Sequence, residues 1–484
     1  MWPILLPLIG TILTFLFKRG GAATISLVMV SAITLAVAGL TRQVLQQGEQ
    51  YYAVGGWDAP LGIALHADGL SVVMLIMTTL VGASTSVYAT GYMFQGPRAG
   101  SAVGGYFFWP LWMFLWTALN VIFLSADIFN LYVGLEILSL SAVALVTLEG
   151  KPAAIVAGMR YLLASFLGSL AFLLGVALLY TAFGTLELNS LGTRMLSSSS
   201  SGMALALIML GMALKTALFP LHFWLPPAHA SAAAPVSALL SGLVVKATFY
   251  MALRLWFDVF PGIVTPTVAQ ILGVLGAMGI LWGSILALRQ QQLKLLIAFS
   301  TVAQVGYLFL LFPLSNATTE IGRDAWSGGV YFALAHACAK AAAFMAAGTL
   351  VYALGSDRLD ALPGTFRRYP LSVVAFTVAG VNLMGLPPSG GFIAKWLLLT
   401  SALNSGQWWF AVVILAGSLL GAGYVFMVLS YMLLDQPQPT ADSKQARPVA
   451  LATELSALAL AVFVFVLGVT ATPLIALLRI GAPF

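Results

Sequence analysis

Apolar runs of about 20 residues follow one another along almost the whole chain, and this feature constrains the fold most. A helix needs roughly 20 such residues to cross about 30 Å of hydrocarbon. Fourteen windows meet this length approximately, at residues 2–17, 22–41, 68–91, 105–125, 128–148, 157–184, 203–219, 236–257, 266–288, 293–313, 327–354, 370–402, 408–434 and 449–477. Helices satisfy their own backbone in lipid, and these runs are too long for barrel strands. We therefore predict an all-α integral membrane protein with about 14 transmembrane helices.

The composition excludes a soluble protein and a separate soluble domain. Of 484 residues, 61% are apolar and 7% are charged, and the mean hydropathy is +1.00. The longest polar stretches, about 41–68 and 435–447, are too short to bury a core, so residues 1–484 are predicted to form one membrane domain. Residues 2–17 have no basic residues before them and no cleavage site after them, which favours a first spanning helix over a signal peptide.

The chain has no sequence signature of a redox centre or a metal site. Cys338 is the only cysteine, so a cysteine-ligated cluster and an intrachain disulfide are both excluded. The sequence contains no nucleotide-binding glycine loop and no haem-ligand pair. We therefore expect no cofactor and no metal, and any redox chemistry would belong to other chains.

The arginines and lysines predict the orientation in the membrane. With the N-terminus outside, twelve lie at cytoplasmic ends of the windows: Lys18, Arg19, Arg98, Lys151, Arg160, Arg289, Lys294, Arg358, Arg367, Arg368, Lys444 and Arg447. Five lie at external ends: Arg42, Arg194, Arg254, Arg323 and Arg479. This asymmetry follows the positive-inside rule and predicts that both termini are on the outer side of the plasma membrane. The net charge of +6 mostly reflects this topology, so no nucleic-acid partner is inferred.

Four lysines remain inside the predicted helices, namely Lys215, Lys246, Lys340 and Lys395, and Glu136 also lies in an apolar run. Each charge costs about 2.5–3.5 kcal/mol at mid-bilayer, so the four lysines together cost roughly 10 kcal/mol. Any one lysine could instead extend to a head group or hydrogen-bond a broken helix. As a set they favour a proton or cation pathway.

Two of these lysines lie next to helix-breaking prolines. Lys215 precedes Pro220 by little more than one turn, and Lys395 follows Pro387 and Pro388. Proline removes a backbone hydrogen bond and breaks or kinks a helix. Interrupted helices in the two halves of a transporter indicate an internal repeat with sites at the breaks.

Three histidines lie close to these lysines in sequence. His336 and Lys340 are four residues apart on one helix face, so they could relay a proton. The alternative for His336 is a neutral ring bonded to a carbonyl, and for Lys246 a structural hydrogen bond. For His222 and His229, capping or packing competes with proton uptake.

The motifs LEILSLSAVALV, LKTALFPLHFWLPPAHASAAAP, LKLLIAFSTVAQVGYLFL, HACAKAAAFMAAGTL and GLPPSGGFIAKW follow one another as in a known superfamily. Over about residues 65–435 the chain resembles the antiporter-like subunits of respiratory complex I, Mrp cation/proton antiporters and membrane-bound hydrogenases. The resemblance implies two inverted five-helix repeats, helices 4–8 (about 105–257) and 9–13 (about 266–434), with helices 7 and 12 broken. Residues 435–484 would form a cytoplasmic loop and the last helix.

The resemblance also implies roles for particular residues. It matches Glu136 to the helix-5 glutamate that pairs with Lys215 of helix 7. It matches Lys246, Lys340 and Lys395 to the lysines of helices 8, 11 and 12. When Glu136 is close, Lys215 keeps its proton. When Glu136 withdraws, the proton would move through water, Lys246, His336 and Lys340 towards Lys395.

Within the superfamily, the chain looks most like the D-type component of Mrp antiporters and related hydrogenase subunits. No long lateral helix follows the fourteenth window, which disfavours the largest complex I subunit. Two departures affect proton uptake: Gln304 stands where many relatives carry histidine, and PPAH at 226–229 replaces PDAH.

Three hypotheses remain: a subunit of a Mrp-type antiporter moving protons and Na⁺ or K⁺, a pumping subunit of a quinone- or hydrogenase-linked redox complex, and a scaffold. The first two imply other membrane subunits as partners, within the lipid bilayer.

Overall fold

The first half of the chain folds into eleven helices and one hairpin within the residues that the structure describes. The structure is a computed structural model, and it describes residues 1–17, 21–57, 62–93, 104–315, 320–434 and 447–484. In this half the elements are α1 (Trp2–Leu16), α2 (Ala22–Gln47), β1 (Gln50–Ala53), β2 (Ala64–Ala67), α3 (Gly69–Met93), α4 (Gly104–Leu124), α5 (Ile128–Thr147), α6 (Pro152–Phe183), α7 (Leu188–Arg194), α8 (Ser199–Lys215), α9 (Leu225–Ser231), α10 (Ala234–Leu239) and α11 (Val245–Arg254). Two π-helical turns, Leu240–Val244 and Leu255–Val259, flank α11.

The second half is helical throughout its described part. Its helices are α12 (Pro266–Leu288), α13 (Leu293–Phe309), α14 (Leu311–Leu314), α15 (Glu320–Leu354), α16 (Thr365–Arg368), α17 (Pro370–Met384), α18 (Gly390–Asn404), α19 (Trp408–Leu433), α20 (Leu451–Val469) and α21 (Ala471–Leu478). Helix α15 packs against α3, α13, α17, α18 and α20, and nearly all of its middle part is buried. It therefore forms the centre of this half.

The helices confirm the predicted fold class. Within the described ranges, eleven helical segments are long and apolar enough to cross a membrane, and α1, α8 and α17 are shorter apolar helices. The chain is a multi-pass, mostly helical membrane protein. The count of fourteen spans stays a prediction. So does the orientation, because Lys18, Arg19, Arg98 and Lys444 lie outside the described residues.

A β-hairpin lies in the polar stretch at about 41–68, which was predicted only to be too short to bury a core of its own. Strands β1 and β2 pair antiparallel, with Gln50 opposite Ala67. An isolated two-stranded hairpin is marginal in water. Here Ala126 donates a 3.1 Å hydrogen bond to the Ala64 carbonyl, so the segment between α4 and α5 extends the pairing. This third segment is distant in sequence, which explains why local pattern did not predict the hairpin.

Glycines bring α6 and α8 together beside Lys215. A Cβ added at Gly168 would lie 3.0 Å from Lys215 Cγ, and one at Gly211 would lie 2.5 Å from the Gly168 carbonyl oxygen. Small residues permit such close packing of membrane helices. The lysine stem therefore lies in a slot that a larger residue at Gly168 would close.

Candidate functional site

The first helix break follows Lys215, as predicted. Helix α8 ends at Lys215, and α9 begins only at Leu225. Pro220 in this interval has no N–H to donate. The Trp224 indole donates a 2.9 Å hydrogen bond to the Leu214 carbonyl, which also accepts one from the Ala217 N–H at 3.2 Å. An aromatic side chain thus satisfies the broken end beside the lysine.

Glu136 and Lys215 meet at this break. Lys215 is 4% exposed, and its Nζ lies 3.6 Å from Glu136 Oε1. The same ammonium donates a 2.8 Å hydrogen bond to Ser139 Oγ, while the Ser169 hydroxyl donates to Glu136. A direct charge-assisted hydrogen bond is about 2.7–2.9 Å long. The pair is therefore in contact without such a bond, and a movement of about 1 Å would make it.

Lys246 lies beside one of the π-helical turns and is fully buried. Its Nζ donates to the carbonyl of Ser241, which belongs to the turn Leu240–Val244. The Ser241 hydroxyl is in turn 3.0 Å from the Thr301 hydroxyl on α13. π-Helical turns are frequent at functional sites because they interrupt the regular helical hydrogen bonding. The structural hydrogen bond considered for Lys246 is therefore present.

His336 and Lys340 lie on α15, and both are buried. Lys340 Nζ donates to the Ile297 carbonyl at 3.0 Å and to the Ser300 hydroxyl. The His336 ring stacks on Phe332, with centroids 5.6 Å apart, and within the described part of the chain neither ring nitrogen has a hydrogen-bond partner. The alternative of a carbonyl-bonded His336 is therefore wrong. Buried polar atoms without partners mark places where ordered water binds.

Within the described part of the chain, no hydrogen bond links the lysines of the central region to one another or to the His336 ring. His336 interacts electrostatically with Lys246, Lys340 and Lys395. The structure thus brings the predicted relay residues into one neighbourhood. His336 and Lys340 share a helix face, as predicted, although each faces different partners.

The second break holds Lys395. Helix α17 ends at Met384, and α18 begins at Gly390. Lys395 Nζ donates to the carbonyls of Leu383 at 2.9 Å and Met384 at 3.3 Å, and to Ser418 Oγ at 3.2 Å. Its Nζ also lies 4.4 Å from the centroid of the Tyr307 ring. Among the side chains that the structure describes, no carboxylate lies within 4.0 Å of it.

Gln304, the departure from the usual histidine, belongs to this second site. Its Nε2 donates to the Leu383 carbonyl at 3.2 Å, which is the carbonyl that Lys395 also binds. It is 3.2 Å from the Tyr424 hydroxyl as well. Gln304 therefore shares a ligand with Lys395 and does not extend the His336 region.

Sequence reasoning missed Lys294, which it treated as a topology anchor. The side chain is buried, and its Nζ donates to the carbonyls of Ala230 at 3.1 Å and Ala232 at 2.5 Å, at the C-terminal end of α9. A cation there is stabilised by the helix dipole. His229 in α9 is also buried, stacks on Phe344 and interacts electrostatically with Lys294. The position of Lys294 at the start of an apolar run gave no signal of this burial.

Asp357 lies in the loop after α15 and contacts the same region. Its Oδ1 accepts a 3.0 Å hydrogen bond from the Lys294 backbone N–H. Burial raises the pKa of the Asp357 carboxyl above its usual value, although that hydrogen bond and the Lys294 charge oppose the rise. Asp127, in contrast, caps the N-terminus of α5, because its Oδ1 accepts a 2.8 Å hydrogen bond from the Asn130 backbone N–H.

Arg254 is buried rather than exposed at a helix end. Its two terminal nitrogens donate to both oxygens of Asp68 at 2.6 and 2.8 Å, and one is 3.1 Å from Asp258. Bidentate pairing of this kind is geometrically specific. It joins the start of α3 to the end of α11, so we assign Arg254 a structural role.

Comparison with known proteins decides the family. Residues 125–421 match the family described as "NADH:quinone oxidoreductase/Mrp antiporter, TM", and residues 53–100 match "NADH-Ubiquinone oxidoreductase (complex I), chain 5 N-terminus". The chain belongs to the antiporter-like subunit family. The first match contains every predicted site residue: Glu136, Lys215, Lys246, His336, Lys340 and Lys395.

Relatives of this antiporter-like protein occur in both kinds of complex. It is 35% identical to the N-type subunit of the NADH-quinone oxidoreductase of Desulforudis audaxviator, over 89% of this chain and 84% of the relative. It is 29% identical to the D-type subunit of the Na(+)/H(+) antiporter of Bacillus subtilis, over 86% and 83%. A chain of the Mrp complex from Dietzia sp. superposes with a TM-score of 0.89 at 25% identity, covering 99% and 95%. The resemblance identified from the motifs is therefore confirmed.

Proposed function

We propose that this protein is a proton-translocating subunit of a multisubunit, Mrp-type monovalent cation/proton antiporter. The observation that carries the proposal is the pair formed at a helix break by the buried Lys215 and the half-buried Glu136, 3.6 Å apart. Buried ionisable groups in membrane helices are costly, and proton relays are a common reason for them. Relatives named as D-type subunits of Na(+)/H(+) antiporters support the antiporter assignment.

In the proposed mechanism, Glu136 controls the charge of Lys215. A carboxylate close to the ammonium favours its protonated form. When Glu136 withdraws, Lys215 is left with the neutral Ser139 hydroxyl, and its proton moves through water to Lys246, His336 and Lys340. Lys395 then receives the charge at the second break. The His336 ring suits a shuttle because both of its nitrogens are without protein partners in the described part of the chain.

We also propose that the chain contains two inverted repeats and works together with other membrane subunits. The two breaks, α8–α9 and α17–α18, each hold a lysine and support inverted repeats at about 105–257 and 266–434, followed by a loop and last helix at 435–484. Both termini lie on the outer side of the plasma membrane. Other membrane subunits complete the complex, as in the similar Mrp complex. Na⁺ or K⁺ is the coupling cation, and the relatives named as Na(+)/H(+) antiporter subunits support Na⁺.

The second candidate is a proton-pumping subunit of a complex I-like oxidoreductase. The relative at 35% identity, which comes from an NADH-quinone oxidoreductase, favours it. In that case the electron carriers lie in other chains. Isolation of the intact complex distinguishes the candidates: proteins with flavin or iron–sulfur clusters indicate the redox complex, and small membrane partners without cofactors indicate the antiporter.

The decisive experiment measures proton movement in everted membrane vesicles that contain the whole complex. We expect Glu136→Gln to lower NaCl- or KCl-driven proton movement by at least about tenfold, because it removes the charge that controls Lys215. The matched control is Glu149→Gln, which removes a carboxylate just after α5 that pairs with Lys151 at 2.7 Å. Normal transport by the Glu136 variant contradicts the proposed function. Proton movement driven by an electron donor but not by a salt pulse establishes the second candidate.

A further inference from the structure

Among the described residues, the Lys395 site contains no carboxylate, which is the group that pairs with Lys215. Lys215 has a carboxylate 3.6 Å away, whereas the polar ligands of Lys395 are two carbonyls and one hydroxyl. An ammonium in a membrane interior needs compensation for its charge. The face of the Tyr307 ring also contacts that charge.

We infer that Tyr307 is a positioning residue whose ring face stabilises the charged form of Lys395 in place of a carboxylate. The inference rests on the proposed function, in which Lys395 receives and releases a proton. Tyr307 does not gain or lose a proton in this mechanism. Its ring sets the pH at which Lys395 gains and loses its proton.

The distance and the burial fit a cation–π interaction. Lys395 Nζ is 4.4 Å from the ring centroid, within the limit of about 6 Å for such contacts. Tyr307 is fully buried and Lys395 is 4% exposed. The interaction is stronger where water is excluded, because the ring quadrupole is then not screened.

The oxygens around Lys395 also select the ammonium over the neutral amine. An ammonium has three N–H donors and no acceptor, and the carbonyls of Leu383 and Met384 and the hydroxyl of Ser418 provide three oxygens. A neutral amine would have only two donors for these oxygens, and among them only the Ser418 hydroxyl could turn its hydrogen towards the lone pair. The two carbonyls, which can only accept, therefore favour the cation, although no carboxylate of the described residues lies within 4.0 Å of it.

The Tyr307 ring is held in place from several sides. Its hydroxyl donates to the Ile414 carbonyl at 3.3 Å, and its ring packs against Phe332 with centroids 5.4 Å apart. Gly417 leaves the space for the hydroxyl, since a Cβ at that position would lie 2.4 Å from Tyr307 Oη. A ring fixed in this way keeps its face towards Lys395.

Fluorination of the ring tests the inference with little change in shape. The whole complex is produced with phenylalanine, 4-fluorophenylalanine or trifluorophenylalanine at position 307, and salt-driven proton movement in everted vesicles is measured against pH. Each fluorine weakens the negative ring face, so Lys395 loses its proton at lower pH. We expect the midpoint of the alkaline limb to fall stepwise from phenylalanine to trifluorophenylalanine, by about one pH unit in total.

The matched control applies the same series at Phe309. That ring is on the same helix, fully buried and packed on Phe312 at 5.5 Å, away from Lys395. A midpoint that is constant along the 307 series, or that moves equally along the 309 series, overturns the inference. If the Tyr307→Phe complex does not assemble, fluorotyrosine at 307 keeps the hydroxyl and must shift the midpoint in the same direction.

Vesicles with Glu136→Gln distinguish a failure of the role assigned to Tyr307 from a failure of the proposed function. Loss of transport in that variant together with a flat 307 series refutes the role of Tyr307 alone. Wild-type transport in that variant refutes the proposed function itself.

Discussion

The two helix breaks each present a buried lysine, but they compensate its charge by different means. At the first break, Lys215 contacts Ser139 at 2.8 Å and Glu136 at 3.6 Å, and each lies on α5. At the second, Lys395 contacts the carbonyls that end α17 and the face of Tyr307. One site depends on a side-chain charge, and the other on backbone dipoles and a ring.

This difference gives the two sites different tasks. A carboxylate on a neighbouring helix can approach or withdraw, so the affinity of Lys215 for a proton can change during a cycle. The carbonyls of Leu383 and Met384 are part of the backbone and stay in place, so Lys395 keeps a nearly constant environment. The first break suits a switch, and the second suits a terminal acceptor of fixed affinity.

The largest expected effect comes from removing the lysines one at a time. Lys215→Met leaves Glu136 unpaired and lowers the stability of the purified complex by ~2 kcal/mol, below the value for fully buried pairs because Glu136 is 21% exposed. Lys395→Met leaves no charge unpaired, so stability is unchanged or higher. Both variants abolish salt-driven proton movement in vesicles.

A double variant tests whether the unpaired Glu136 causes the loss of stability in Lys215→Met. Glu136→Gln combined with Lys215→Met removes both charges and recovers most of the stability in thermal unfolding, because no unpaired charge remains. Equal destabilisation by Lys215→Met and Lys395→Met, or no recovery in the double variant, contradicts the proposed difference between the breaks.

The next effect concerns the neutral partner at the first break. Ser139→Ala removes the 2.8 Å hydrogen bond to Lys215 Nζ and lets the ammonium move towards Glu136. Hydrogen bonds to charged groups contribute about 1.5–3 kcal/mol, so we expect vesicle transport to fall about tenfold.

Ser141→Ala is the control for Ser139→Ala. Both hydroxyls donate to the carbonyl four residues earlier at 2.7 Å, but only Ser139 also contacts Lys215. Equal transport by the two variants shows that Ser139 does not position the lysine.

The sequence predicted the parts of the site that depend on strong local signals. Charges in apolar runs are conspicuous, and nearby prolines indicate helix breaks, so Lys215 and Lys395 were identified from the local sequence alone. The pairing of Glu136 with Lys215 needed the family resemblance, because the two are 79 positions apart in the chain.

The neutral partners could not be predicted. Ser139 and Tyr307 have the residue types of ordinary helix serines and packing aromatics, and only the packing of distant helices brings them to the lysines. Lys294 was misread for the related reason that its ligands, the carbonyls ending α9, come from another element. Local pattern identifies charges, whereas tertiary structure decides what surrounds them.

The smallest predicted effect tests the fixed geometry of the second break. Gly385 ends α17 with φ +80°, and a Cβ there would lie 2.6 Å from Lys395 Cδ. Gly406 has φ +75° and open space around its Cβ position. Alanine at either position costs about 1–2 kcal/mol of backbone strain, but only Gly385→Ala displaces the lysine from its carbonyls. We expect Gly385→Ala to lower vesicle transport about threefold, since a weakened hydrogen bond costs about 0.5–1 kcal/mol, and Gly406→Ala to leave transport unchanged. Because both variants carry the same strain, equal transport would mean that Lys395 tolerates displacement and that its carbonyl ligands do not fix its affinity.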